Sequence, residues 1–165
     1  MTALLGVDLG ERRIGIALAH DEAGSALPLT TLRRGRAPEA DAVALQALID
    51  AHGAVELVIG LPLEAAGQEG AQAVITRRWT DAIATLLAVR VTLRDERLTS
   101  HLAETRLGPM KRGRSGGPPS KTQRDAYRAR VDREAAAIIL QDELDTRAGR
   151  RASLTRTPDT QETRP

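Results

Sequence analysis

Residues 4–19 read Leu4-Leu5-Gly6-Val7-Asp8-Leu9-Gly10-Glu11-Arg12-Arg13-Ile14-Gly15-Ile16-Ala17-Leu18-Ala19. Leu4 to Asp8 has the apolar density of a short buried strand, Arg13 to Ala19 has that of a second, and the polar turn residues between them predict a hairpin. Working outward, Ala26 to Leu32 is a third extended stretch, and Pro28, which has no N–H to give a ladder, suits it to a sheet edge. Three antiparallel strands therefore open the chain. A helix is expected from Pro38 to about His52 with Val43, Ala44, Ala47 and Leu48 inward, followed by a strand at Val55 to Gly60. The pattern repeats with a helix from Gln72 to Ala88, with Val74, Ile75, Ile83, Leu86 and Leu87 inward. A strand at Val89 to Arg94 follows, and the two crossovers imply parallel pairing.

Further along, Thr99 or Ser100 can cap a helix that carries Leu102, Ala103 and Leu107 and stops at Gly108-Pro109. Lys111 to Lys121 is too rich in Gly, Pro and basic residues to pack and reads as a mobile loop. A long helix from Thr122 to Leu144 then carries Val131, Ala135, Ile138 and Ile139. Thr146 to Pro165 is polar, with five Arg and two Pro, and is expected to be a disordered tail. The organisation is one α/β domain over residues 1–145, with a mixed sheet, and a basic and polar tail over 146–165.

Composition excludes several chemistries. The 165 residues include no Cys, no Phe, one Trp, one Tyr and three His. There is thus no disulfide framework, thiolate metal site or cysteine nucleophile, little material for base-stacking platforms, and any metal would sit on carboxylates. No apolar run approaches the ~18 residues of a membrane span, so a soluble cytoplasmic protein is expected. The formal charge is +2, but residues 106–130 hold eight Lys and Arg against the single acid Asp125, whereas residues 1–60 hold five Arg against eight Asp and Glu. A basic segment of that density suits a polyanion partner, although a solvated helix and loop face accounts for it equally well.

Three carboxylates sit in uncomfortable places. Asp8 ends a run that reads as buried on both faces, where an unpaired carboxylate is expensive. Asp95 and Glu96 end the strand that should run parallel to the first, which brings them to the same rim of the sheet. Alternation sends only one of the two into the crevice there. Asp132 shares a helical stripe with Ala136, Ile139 and Leu140, so it faces the sheet unless it pairs with Arg128 or Arg133. Carboxylates converging without His or Cys suit a hard divalent cation, Mg²⁺ or Mn²⁺, and a two-metal hydrolysis of phosphodiesters that needs no protein nucleophile.

Gly6-Val7-Asp8-Leu9-Gly10 running into Arg13-Ile14-Gly15-Ile16-Ala17, then Val58-Ile59-Gly60-Leu61-Pro62-Leu63, then Asp95-Glu96-Arg97-Leu98-Thr99-Ser100, then Val131-Asp132 into Ala135 to Leu140 resemble the successive motifs of the YqgF/RuvX family. These are Holliday-junction-resolvase-like bacterial proteins also described as pre-16S rRNA nucleases, and the likeness covers about residues 4–145. The resemblance implies an RNase H-like fold: a five-stranded mixed sheet, its first three strands antiparallel, with helices on both faces. It also implies that Asp8, Glu96 and Asp132 are the catalytic, metal-binding carboxylates, which selects Glu96 over Asp95. The implied activity is a metal-dependent nuclease in maturation of the 5′ end of the small-subunit rRNA precursor, with RNA favoured over DNA and ribosomal precursor particles as partners. Around that centre Arg97, Arg106, Lys111, Arg112, Arg114, Lys121, Arg124 and Arg128 are candidate phosphate contacts.

Other readings remain open at this point. The basic segment would bind RNA whether or not the acids cut, so a non-catalytic ribosome-assembly or transcription factor is one alternative. A junction-resolving DNA nuclease is another, and would most naturally be a dimer. An ATP-binding reading of Asp8-Leu9-Gly10 fails on length, because such proteins enclose nucleotide between two related lobes and the motif has no second copy here.

Overall fold

In the computed structural model, residues 2–20, 24–97 and 99–155 are described. The strands β1 (Ala3–Leu9), β2 (Arg13–His20) and β3 (Leu27–Arg33) are followed by α1 (Pro38–His52), β4 (Ala54–Pro62) and α2 (Ala71–Leu86). The chain then continues through β5 (Arg90–Glu96), α3 (Thr99–Leu107) and α4 (Lys121–Thr155). The sheet order is β3-β2-β1-β4-β5. β1 pairs antiparallel with β2 and parallel with β4, β2 pairs antiparallel with β3, and β4 pairs parallel with β5. This is the mixed five-stranded arrangement expected of an RNase H-like fold, with Pro28 on the edge strand as its missing donor requires.

The period-two alternation of the strands sorts the core into two layers. Leu5, Val7 and Leu9 of β1, Ile14 and Ile16 of β2, and Leu57 and Ile59 of β4 bury one face against Ala42, Leu45 and Ile49 of α1 and Trp79 and Ile83 of α2. The other face presents Leu4, Ala17, Ala19 and Val58 to Ala136, Ala137, Ile139, Leu140 and Leu144 of α4. The α4 stripe containing Asp132, Ala136, Ile139 and Leu140 faces the sheet as its spacing predicts.

Ile83 and Leu87 are buried and Leu48 packs against the same core as expected, but the rest of the inward faces of α1 and α2 is phased differently. Val43 is 74% exposed, Val74 and Ile75 each 44%, and Leu86 46%, while Asp41, Ala42, Leu45, Ala73, Thr76, Trp79 and Thr80 are turned inward. A polar pair sets this phase: the Trp79 indole donates to Asp41 Oδ2 at 2.9 Å, and Asp41 Oδ1 accepts the Gly35 N–H at 2.7 Å. Counting apolar residues cannot assign an aspartate to the inside, and rotating α1 to bury it exposes Val43.

The expectation of a disordered tail from residue 146 is corrected over residues 146–155. α4 continues to Thr155, so residues 146–155 are helix rather than disordered tail, and only 156–165 of that stretch lie outside the described residues. The reason lies in Arg147, which donates to Glu56 at 2.6 and 3.0 Å and to Glu143 at 2.9 Å. Arg94 adds bonds to Asp142 at 2.8 Å and Glu143 at 3.3 Å. Burial would raise the Glu56 carboxyl, but the hydrogen bonds from Arg147 and from Thr92 outweigh it and hold the group below its ordinary value. These ion pairs tie the helix to β4 and β5 well past the last apolar stripe.

The basic loop ahead of α4 is hydrogen-bonded rather than featureless. Gly113 and Gly117 close a turn at 3.0 Å, Gln123 Nε2 reaches the Arg112 carbonyl at 3.3 Å, and Ser120 with Gln123 forms a reciprocal capping box at the start of α4. Among the described residues no helix is long and apolar enough to cross a membrane.

Candidate active site

The same alternation that sorts the core aims the acids. Leu5, Val7 and Leu9 point toward α1 and α2, so Asp8 shares the α4 face with Leu4 and Gly6. On β5, Val91 and Leu93 pack against the first face, which sends Thr92, Arg94 and Glu96 to the α4 face and leaves Asp95 exposed on the other. Asp132 comes from α4 itself. Asp8 and Glu96 therefore lie at the carboxyl ends of two parallel-running strands, on the face covered by the helix that brings Asp132, with Glu96 beside Ile138 and Ile139.

Glycines make the close approach possible. A Cβ on Gly15 would overlap the Asp132 carbonyl oxygen, and one on Gly6 would stand 2.6 Å from the Ala136 carbonyl oxygen and 2.7 Å from Leu140 Cβ. One on Gly60 would overlap Glu96 Oε2 and meet Ile139 Cδ1 at 2.5 Å. These residues let α4 lie directly on the sheet, and Gly60 in addition leaves the space that Glu96 occupies between β4 and the helix.

The electrostatics mark the three acids as one group. Asp8 is pushed well above its ordinary value, first by burial, then by the negative charges of Glu96 and of Asp132. Glu96 is pushed up to about 7 by burial. Its Oε2 is buried and has no hydrogen-bond partner, although it accepts readily. Asp132 takes a different course: its Oδ2 accepts from Arg13 Nε at 2.6 Å, with both side chains half-buried. Among the described residues no three acids are already gathered closely enough to hold an ion, and Asp132 is engaged by Arg13. The donor set nevertheless fits a hard divalent cation, because an all-carboxylate site with an orphaned buried oxygen and mutual repulsion is what such a cation neutralises. His20, paired with Ala3, and His52, which leads into the start of β4, stand at the opposite end of the sheet, and His101 is exposed on α3.

The eight candidate phosphate contacts separate into groups. Arg97 borders the cleft that contains Glu96, and Arg128 borders the one that contains Asp132. Lys121 lines the adjoining cleft, while Lys111, Arg112 and Arg114 are exposed on the loop. Arg106 is engaged by Glu134 at 3.2 Å and Arg124 donates to the Pro119 carbonyl at 2.7 Å, so both have intramolecular partners. Arg13 escaped the sequence reading, which offered only Arg128 and Arg133 as partners for Asp132. The signal was its place in the turn just after Asp8, but nothing in the sequence links positions 119 residues apart.

The chain is similar to known proteins over most of its length. The family model described as "RuvX: Holliday junction resolvase" matches residues 2–146. A protein of Chloroflexus aggregans named "Putative pre-16S rRNA nuclease" is 41% identical over 144 residues, covering 87% of this chain and 94% of that one. One of the same name from Anaeromyxobacter sp. strain Fw109-5 is 42% identical over 143 residues, covering 87% and 96%. A solved structure of Thermus thermophilus RuvC in complex with a Holliday junction substrate aligns with 90% of this chain and 97% of that one, at 12% identity and a TM-score of 0.48.

Proposed function

The chain belongs to the RuvX family, and from that premise we propose that it is a divalent-metal-dependent nuclease that hydrolyses phosphodiester bonds in maturation of the 5′ end of the small-subunit rRNA precursor. The observation that supports the reading is a buried Glu96 oxygen with no partner among the described residues, beside an Asp8 whose carboxyl is raised by burial and by the charges of Glu96 and Asp132. The name shared by the relatives supports the choice of substrate.

Asp8, Glu96 and Asp132 would hold Mg²⁺ or Mn²⁺. Such an ion, or a pair of them, supplies a water of lowered pKa and neutralises charge on the scissile phosphate. The chain's own residues do the rest. Asp8 and Glu96 are fixed on strand ends of one sheet by its ladder, which makes two of the three ligands rigid. Were Asp132 to leave Arg13 to hold the ion, the Arg13 guanidinium would be available to a phosphate oxygen. Arg97, which borders the cleft of Glu96, and Arg128, which borders that of Asp132, would orient the strand across the acids.

The test is cleavage of end-labelled single-stranded RNA, single-stranded DNA, duplex and four-way junction with Mg²⁺ or Mn²⁺, alongside Asp8→Asn. The reading expects metal-dependent cleavage of RNA that the substitution abolishes. Preferred cleavage of the four-way junction would favour the activity in the family model's description, a junction resolvase acting on DNA. Intact binding with no cleavage of any substrate would leave a non-catalytic RNA-binding protein.

A further inference from the structure

Two clefts on the hairpin side of the site share Arg12 and Arg13. One, of about 430 Å³, runs from Gly10 and Glu11 past Arg128 to Asp132. The other, of about 390 Å³, continues away from the acids along β3 to Arg33, Lys121 and Asp125. We propose that together they form a track for the sugar-phosphate backbone of one nucleic-acid strand, gripped by Arg12, Arg33, Lys121 and Arg128 and leading onto the carboxylates. The proposal rests on the nuclease reading and deepens it by assigning the path that the substrate takes.

Charge and register argue for this. Arg13 and Arg33 are directly opposite in the β2–β3 ladder and project to the same face, an arrangement of like charges that destabilises a strand pair. Asp132 answers the charge of Arg13. Among the described residues the side chains of Arg12, Arg33, Lys121 and Arg128 make no hydrogen bond or ion pair, and Asp125 is the one acid on the outer cleft. Five cationic groups, Arg12, Arg13, Arg33, Lys121 and Arg128, line the two clefts against Glu11, Asp125 and the Asp132 that Arg13 already engages, and that local excess of positive charge fits an extended polyanion.

The frame of the track is fixed before any ligand arrives. Gly10 N–H bonds the Arg13 carbonyl at 2.8 Å, Arg34 donates to the Gly10 carbonyl at 3.0 Å, and the Arg34 N–H bonds the Arg12 carbonyl at 2.9 Å, so the turn that carries Arg12 is braced. On the floor, Thr31 Oγ1 donates to the Ala129 carbonyl at 2.5 Å and pins β3 to α4. Trp79 is buried, and Tyr127 packs against Ala103, Val131 and Ala135 and lines neither cleft, so neither ring is placed to stack a base on the track. It grips phosphate alone, without regard to sequence.

The test measures binding in EDTA, in an Asp8→Asn background, of fluorescent single-stranded RNA and single-stranded DNA of the same sequence across a range of salt. Arg12→Gln with Arg33→Gln should weaken binding on both strands alike and lower the slope of log K against log salt by roughly 1.4, about 0.7 for each phosphate that is no longer neutralised. Arg12→Lys with Arg33→Lys should retain most of the slope, and no form should melt below the parent, because both residues are exposed and the Gln pair relieves the repulsion between Arg33 and Arg13. An unchanged slope in the Gln pair, with binding abolished instead in Arg112→Gln with Arg114→Gln, would overturn the track and leave the nuclease reading standing. A loss confined to RNA would overturn the phosphate-only grip, and no binding by the parent protein would remove the reading on which the track rests.

Discussion

Replacing Glu96 by Gln should make the metal-free protein more stable at alkaline pH. In the folded chain the Glu96 carboxyl sits at about 7, against an ordinary value of 4.5, because burial disfavours its charge. Below about pH 4.5 the group is protonated whether the chain is folded or not, so it costs nothing. As pH rises toward 7 the unfolded chain gives up this proton while the folded chain keeps it, and stability falls by about 1.4 kcal/mol per pH unit. Above 7 the loss levels off at about 3 kcal/mol. The Gln amide is the uncharged isostere of the acid and avoids that penalty, and removing the Glu96 charge also relieves Asp8, which acts in the same direction. Urea denaturation in EDTA should therefore show wild type and Glu96→Gln equal near pH 4 and the variant ahead by about 3 kcal/mol at pH 8. Equal stabilities at pH 8, or a gap that does not close on acidification, would refute the claim that the metal-free fold strains to hold this carboxylate.

Other consequences are as direct. Adding Mn²⁺ at pH 8 should reverse that order, raising the wild-type melting temperature by an amount that grows as the logarithm of metal concentration, with no rise for Asp8→Asn. Gly60→Ala, whose methyl would overlap Glu96 Oε2 and crowd the movable end of Ile139, should abolish cleavage at a stability cost of about 1–3 kcal/mol, read by paired activity and denaturation measurements. Gly15→Ala instead meets the backbone of Asp132, which no rotamer change relieves, and should cost about 3 kcal/mol or more by the same denaturation assay. Arg147→Met leaves the buried carboxylates of Glu56 and Glu143 underpaired and should destabilise by about 3 kcal/mol at neutral pH; no loss would show that the α4 extension is not anchored there.

Strand order and the placing of Asp8 and Asp132 were legible because both depend on local periodicity: alternation in β1 and β2, and a 3.6-residue stripe in α4. The choice between Asp95 and Glu96 was not legible from spacing, since it depends on which face of β5 the helix covers, and the family resemblance had to supply it. The faces of α1 and α2 were partly misread because their phase is set by a buried Asp41–Trp79 hydrogen bond between residues far apart in sequence. The true end of α4 was hidden for the same kind of reason: Arg147 looks like solvated polarity until Glu56 is brought beneath it. Arg12, Arg13 and Arg33 were passed over because the surrounding sixty residues are net acidic, although the hairpin gathers those bases on one side.

The central claim is that Asp8, Glu96 and Asp132, on three separate elements, make one divalent-cation site. Calorimetric titration of Mn²⁺ into the wild-type protein and into Asp8→Asn, Glu96→Gln and Asp132→Asn, each verified as folded, tests it most directly. The account predicts saturable binding in the wild type that is lost or severely weakened by each substitution alone. Wild-type affinity retained in all three variants would contradict it.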